Sequence, residues 1–171
     1  MIIRPATAAD LPSLLNLERQ CPTAAHWSEQ QYKKIFRINE SEPGRLVLVV
    51  DDRAEEGAVE RGSTSSRLSA FLIAGQVGPD WELENIVVAP ASRRKGLATR
   101  LFTALLTRAR ETNSERVFLE MRESNQPARA FYLRLGFEEI GRRKLYYSNP
   151  QEDAILYRLA LNSLSTTKPS T

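Results

Sequence analysis

The sequence is poor in the residue types from which disulfides and metal sites are made. It has one cysteine, Cys21, and one histidine, His26. An intrachain disulfide is therefore excluded, and a metal site built from Cys or His ligands is not expected. The N-terminal stretch carries an arginine and an aspartate where a signal peptide needs an apolar run. No segment approaches the roughly 18 apolar residues of a membrane span. We expect a soluble, cytoplasmic protein that needs no metal.

The chain also lacks a strong charge of either sign. Its 171 residues carry a formal net charge of +3, with 42% hydrophobic and 26% charged residues. This composition is typical of a globular domain and argues against bulk disorder. The basic excess is compatible with anionic ligands, but it is too weak to predict nucleic-acid binding. We expect neither direct nucleic-acid binding nor membrane association.

Strand-like apolar runs alternate with segments of helical periodicity along the chain. The predicted order is strand, two helices, three strands, helix, strand, helix and two strands. This order predicts an α/β protein with a mixed sheet, in which antiparallel hairpins precede one strand–helix–strand crossover. The polar segment 51–67 is predicted as a flexible hairpin loop within a domain of residues 1–162, and residues 163–171 as a disordered tail.

The stretch "RRKGLATRLF", residues 93–102, opens the third predicted helix and has no capping side chain directly before Gly96. A helix start presents unpaired N–H groups and a partial positive charge, which suit a phosphate, and glycine lets a ligand approach the backbone. Alternatively, this is a basic helix start that faces water, with Ser92 as an upstream cap. The stretch contains neither a nucleoside-triphosphatase nor a dinucleotide-binding motif.

The longer stretch "VAPASRRKGLATRLF" resembles the Arg/Gln-x-x-Gly-x-Gly/Ala motif of the GCN5-related N-acetyltransferases (GNAT), in which this loop wraps the pyrophosphate of acetyl-coenzyme A. The resemblance extends over about residues 2–160. It implies the GNAT fold: one domain with a mixed, mostly antiparallel seven-stranded sheet and about four helices. It assigns coenzyme binding to the loop and the first helical turn, namely Arg93, Arg94, Lys95, Gly96, Leu97, Ala98 and Thr99.

Three further segments resemble the ribosomal-protein-alanine N-acetyltransferases within that family: "LEMRESN", "FYLRLGF" and "RRKLYYSNPQEDAILYRL". The resemblance implies an enzyme that transfers acetyl from acetyl-coenzyme A to the N-terminal alanine of a small-subunit ribosomal protein. The amine would attack the thioester directly in a ternary complex.

The same resemblance suggests residue roles. Glu120 is the expected base and Tyr132 the expected acid that protonates the coenzyme thiolate. Alternatively, Glu120 is a solvated carboxylate, or it pairs with Arg122 or another arginine. Many family members place the base where this chain has Asn85, so Glu82 and Glu84 remain alternative bases or residues of the peptide groove. The backbone of Ile86, Val87 and Val88 and the side chain of Asn125 are expected to contact the coenzyme, as Tyr132 does, and Tyr146 and Tyr147 to contact the peptide.

Other functions remain open on sequence grounds. The chain could acetylate other protein N-termini or a small amine, which a panel of peptides and small amines would distinguish. It could also bind acyl-coenzyme A as a non-catalytic sensor, and an assay of thiol release would decide this. Nucleic-acid binding through the basic stretch would show itself as steeply salt-dependent association with RNA.

Overall fold

Strands and helices follow one another along the chain in the predicted order. The computed structural model describes residues 1–22, 24–25, 27–39, 44–52 and 68–161; His26, most of the predicted loop 51–67 and the tail lie outside these residues. The strands are β1 Ile2–Pro5, β2 Arg45–Asp51, β3 Leu68–Val77, β4 Asp80–Val88, β5 Arg116–Arg122, β6 Glu138–Ser148 and β7 Gln151–Ala160. The helices are α1 Leu11–Arg19, α2 Glu29–Asn39, α3 Leu97–Glu111 and α4 Gln126–Arg134.

The strands form a seven-stranded sheet in the order β1-β2-β3-β4-β5-β7-β6. Strands β4 and β5 are parallel, with Trp81 opposite Val117 and Leu83 opposite Leu119. The β1–β2, β2–β3, β5–β7 and β6–β7 pairs are antiparallel. A parallel pair needs a long crossover, and α3 supplies it between β4 and β5. The predicted mixed, mostly antiparallel sheet with one crossover is confirmed.

The chain packs as two compact units, and the first contains residues 1–75 and 84–106. Its core includes Leu14 and Leu17 of α1 and Tyr32 of α2, packed with apolar side chains of β2 and β3 such as Val49 and Phe71. These helical residues recur every three to four positions and form one buried stripe on each helix. At the start of the chain, Arg4 lies 2.8 Å from Asp10 and 2.9 Å from Asp51, so that one guanidinium joins β1, the turn before α1 and the end of β2.

The second unit contains residues 76–83 and the described residues from 107 onward. The side chains of β5 alternate strictly between buried and half-buried, as expected for a central strand with two unlike faces. Trp81 is fully buried and donates its indole N–H to the Thr112 hydroxyl at 2.9 Å. Strand β6 closes this end of the sheet; nine of its eleven residues are exposed, and its register with β7 slips twice.

Side-chain caps mark the starts of two helices. The Ser28 hydroxyl accepts from the Gln31 N–H at 3.3 Å, while the Gln31 side chain accepts from the Ser28 N–H at 2.8 Å, forming a reciprocal capping box ahead of α2. Asn125 accepts from the Ala128 N–H at 3.3 Å and caps α4. Gly136 follows the end of α4 with φ +88°, a conformation that glycine adopts without strain. Both side chains thus satisfy N–H groups that have no partner within the first helical turn.

No helix among the described residues is both long enough and apolar enough to cross a membrane.

Candidate active site

In the first unit, the basic loop before α3 is open to solvent. A short 3-10 turn, Pro90–Ser92, follows β4, and residues 93–96 are all exposed. Leu97, the first residue of α3, is 2% exposed and anchors the helix in the core. The loop therefore presents three cations and a glycine on a fixed helix start.

The backbone of this loop adopts conformations that leave space for a ligand. Gly96 has φ +76° and Arg94 has φ +62°. Its chain neighbours aside, a Cβ atom at Gly96 would meet no atom of the described residues within 4 Å, so internal crowding does not require glycine there. Ser92, the alternative cap, instead donates its hydroxyl to Ser69 at 3.3 Å. An exposed helix start with free space and nearby cations is suited to bind an anion such as a pyrophosphate.

Strand β4 leads directly into this loop. Ile86 and Val88 are half-buried, whereas Val87 between them is 3% exposed and belongs to the core of the first unit. The Val88 carbonyl accepts a bond from Arg93 Nε at 3.4 Å and lies 3.5 Å from Cys21 Sγ. The end of β4 therefore has polar backbone atoms within reach of a side chain from the basic loop.

A buried polar cluster that sequence reasoning missed lies behind β4. Glu18 of α1 is 2% exposed, and its two oxygens accept from different donors: Asn85 Nδ2 at 2.8 Å and the Trp27 backbone N–H at 3.1 Å. Burial raises the pKa of the nearby Tyr32 hydroxyl, and the charge of Glu18 raises it further. Glu18 follows Leu14 by four residues on the apolar face of α1, and this spacing is the signal that could have identified it.

Glu84, one of the alternative bases, is held in an ion pair. Its carboxylate binds the Arg45 guanidinium through two contacts to Oε1, at 2.7 and 2.8 Å, and one to Oε2 at 2.8 Å. The pair lines a pocket of about 250 Å³ together with Trp27 and side chains of α2. A Cβ atom at Gly75 would lie only 2.9 Å from Arg45 Nη1, so glycine makes room for the pair. A carboxylate already bound twice by a guanidinium is a poor base.

In the second unit, Glu120 on β5 is partly buried beside Arg143. Its side chain is 20% exposed, and its Oε1 lies 2.9 Å from Nη2 of Arg143, which is 52% exposed. Burial raises the pKa of Glu120; Arg143 acts in the opposite direction, and the charge of Glu82 adds to the rise. Arg122, the other arginine considered for Glu120, pairs instead with Glu152 at 2.7 Å. A carboxylate with a raised pKa has more affinity for a proton, as a base at neutral pH requires.

Tyr132 lies on the buried face of α4 in the same unit. It is 6% exposed, and its ring packs edge-on against Phe137 with centroids 5.5 Å apart. Burial raises the pKa of its hydroxyl, so the group stays protonated at neutral pH. Asn125 caps the same helix through Oδ1, which leaves its amide N–H₂ for another partner.

The end of β6 carries the two tyrosines predicted to contact a peptide. The rings of Tyr146 and Tyr147 meet edge-on with centroids 5.2 Å apart. The Arg122 guanidinium lies over the Tyr147 ring, 4.2 Å from its centroid, which fixes this tyrosine, whereas Tyr146 is 52% exposed. Burial raises the pKa of Tyr147, and the charge of Glu120 adds to the shift.

The structure thus groups the predicted residues into two sets. Within the second unit, Glu82 and Tyr147 each lie within electrostatic reach of Glu120. Glu84 belongs to the first unit, where it is bound to Arg45. No three His, Cys, Asp or Glu side chains in the described parts of the chain are placed to hold a metal ion. Metal independence stays a prediction.

Comparison with known proteins identifies the family. The model of the acetyltransferase (GNAT) family matches residues 11–137. The chain belongs to the GNAT family. The resemblance inferred from the loop motif is therefore confirmed, and the protein is an acyltransferase of a family that uses acetyl-coenzyme A.

Relatives of this acetyltransferase include enzymes named for a ribosomal acceptor. It is 33% identical over 159 residues to the [ribosomal protein bS18]-alanine N-acetyltransferase of Salmonella typhimurium, covering 91% of this chain and 95% of the relative. The crystal structure of the ribosomal-protein-S18-alanine N-acetyltransferase from Escherichia coli superimposes with a TM-score of 0.73 at 26% identity, covering 99% and 97% of the two chains. The resemblance to ribosomal-protein-alanine N-acetyltransferases is confirmed.

A third structure shares only the fold. The NatC complex, solved with Gag peptide and CoA, matches with a TM-score of 0.73 at 16% identity, covering 93% of this chain and 97% of that chain.

Proposed function

We propose that this acetyltransferase transfers the acetyl group of acetyl-coenzyme A to the N-terminal alanine of ribosomal protein bS18. The observation that carries the proposal is the partly buried Glu120 carboxylate, whose pKa is raised, in a chain that is 33% identical to a bS18-modifying relative over 159 residues. We further propose that the basic loop, residues 93–99, holds the pyrophosphate. The backbone of residues 86–88 and the Asn125 amide bind the rest of the coenzyme.

The reaction needs two proton transfers. The neutral acceptor nitrogen attacks the thioester carbonyl carbon, a C–N bond forms, and the C–S bond breaks. The nitrogen loses one proton to Glu120, either directly or through water, and the departing thiolate gains one from Tyr132. An N-terminal amine has a pKa near 8, so about a tenth of it is neutral at pH 7, and a carboxylate with a raised pKa suits the first transfer. Tyr132, protonated at neutral pH, suits the second.

The assignment of the base is tested with Glu120→Gln and a matched control. Glu123 lies three residues away and forms an ion pair with the exposed Arg142, so Glu123→Gln makes the same chemical change away from the reacting groups. Acetylation of a peptide with the bS18 N-terminus is followed by thiol release from pH 6 to 10. We expect Glu120→Gln to lower turnover by about 10²–10⁴-fold near neutral pH. Turnover should recover partly at high pH, where the amine is neutral unaided, while Glu123→Gln stays near wild type.

Wild-type rates for Glu120→Gln throughout that range would show that Glu120 is not the base and would favour Glu82.

Acceptor choice is tested separately with peptides that begin with alanine, serine or methionine and with small amines. Mass spectrometry of ribosomal proteins from cells with and without this enzyme then tests the acceptor in vivo. An unchanged bS18 N-terminus in cells lacking the enzyme would contradict the proposed acceptor.

A further inference from the structure

The cation on Glu120 is supplied by the chain itself. Arg143 reaches Glu120 from β6, at the point where the register between β6 and β7 begins to slip. Arg143 is half-exposed, whereas its partner is largely buried. The pair therefore consists of a fixed carboxylate and a cation that can reach solvent without disturbing the core.

The negative charges around Glu120 favour a bound cation. Glu82 from β4 adds a second negative charge, and Tyr147 from β6 is neutral at physiological pH because its pKa is raised. Among the described residues, Arg143 is the cation that lowers the pKa of Glu120. If Arg143 moves away, two carboxylates remain, and a positive group would be bound in its place.

An acceptor N-terminus is such a positive group before it reacts. Its amine has a pKa near 8, so at neutral pH it arrives mainly as an ammonium ion. An ammonium ion and a guanidinium both donate charged hydrogen bonds to a carboxylate, so they compete for its negative charge.

Resting on the function proposed above, we propose that the acceptor's terminal ammonium displaces Arg143 from Glu120 when it binds. In the free protein, Arg143 neutralises Glu120, and the incoming N-terminus takes its place on the carboxylate. The site thus selects acceptors that arrive as cations.

Arg143 has a second partner on the same strand. Its guanidinium already lies 5.4 Å from the centroid of the exposed Tyr146 ring, and aromatic faces attract cations. Partly exposed ion pairs of this kind contribute little to stability, so exchanging one cation for another costs little free energy. Arg143 is accordingly a positioning residue and not a group that takes part in bond making.

The test compares Arg143→Gln with Arg143→Lys and with the control Arg158→Gln. Arg158 is also partly exposed and pairs with Glu138, so its replacement removes the same charge from the neighbouring strand. At pH 7, where the acceptor is mainly an ammonium ion, removing the internal competitor should lower the KM for the alanine peptide by roughly two- to fivefold, with kcat retained. The acid limb of the kcat/KM profile should move to higher pH, because Glu120 loses the cation that lowers its pKa. Arg143→Lys and Arg158→Gln should resemble the wild type. A KM that is unchanged or raised in Arg143→Gln would overturn the proposal.

A binding experiment separates this inference from the proposed function. Alaninamide, a minimal N-terminal cation, is titrated into protein with ¹³C-labelled Glu carboxyl groups, and the Glu120 resonance is followed by NMR. We expect alaninamide to bind more tightly to Arg143→Gln than to wild type, and neutral N-acetylalaninamide to leave the resonance unmoved in both. Equal affinities for alaninamide would refute the displacement. Tighter binding without acetyl transfer would leave the inference standing and refute the proposed activity.

Discussion

Glu18→Gln is the substitution whose effect follows most directly from the structure. The two Glu18 oxygens accept from Asn85 Nδ2 and from the Trp27 N–H, at 2.8 and 3.1 Å. Glutamine has the same shape but only one oxygen. One of the two donors, the buried Asn85 amide or the part-buried Trp27 N–H, must therefore face an N–H₂ group, which cannot accept a hydrogen bond.

A buried donor left without its acceptor costs about 1–3 kcal/mol. We therefore expect Glu18→Gln to lower the free energy of unfolding by about this amount. For a chain of this length, each kcal/mol shifts the melting temperature by about 2–4 °C, so the expected decrease is roughly 2–12 °C. The exposed Glu29, which pairs with Lys33 one turn along α2, serves as the control, and Glu29→Gln should leave the stability close to that of the wild type.

Urea unfolding at pH 7 measures both variants, with the midpoint reporting stability as long as the slope is unchanged. If Glu18→Gln unfolds at the wild-type urea concentration, the two hydrogen bonds do not stabilise the fold as argued here. If Glu29→Gln is equally destabilised, the effect is that of charge removal in general and not of the buried cluster.

Three further predictions concern the coenzyme loop, acid stability and the proposed acid. Gly96→Val should weaken acetyl-coenzyme A binding in calorimetry while the fold persists, because the new side chain fills the space over the helix start and strains a backbone at φ +76°; unchanged affinity would remove the loop from the site. The Arg4 guanidinium holds the pKa of Asp10 at about 2 instead of 3.8. The stability from this carboxylate, about 2 kcal/mol, is present above pH 3.8 and lost as the pH falls toward 2; Asp10→Asn should flatten that part of the stability–pH curve, and an unaltered curve would contradict the pairing. Tyr132→Phe should lower turnover by about 10²–10⁴-fold with little change in coenzyme affinity, and equal losses in both would indicate a packing role.

Local patterns in the sequence were sufficient to predict the elements. The order of strands and helices depends on neighbours within a few residues, and it was readable from the sequence. The parallel β4–β5 pair was also predictable, because a helix between two strands favours that connection.

Long-range partners were not predictable in the same way. Glu18 and Asn85 are 67 residues apart, and Arg45 and Glu84 are 39 apart. The residues around each partner do not reveal which carboxylate an arginine will bind, because the pairing depends on the order of strands in the sheet and on the direction of each side chain. The sequence therefore left three glutamates as candidate bases. Of these, Glu84 is bound by Arg45, and Glu120 faces Arg143.

The exposed strand β6 has a consequence for handling the protein. A strand at the edge of a sheet can recruit a strand from another chain and so start aggregation, and bulges and cations are the usual safeguards. Strand β6 has two register slips and three consecutive cations, residues 142–144. Neutralising Arg143 removes one of these three positive charges. Kinetic work on that variant should therefore be done at low protein concentration with light scattering alongside, so that self-association is not mistaken for a change in acceptor affinity.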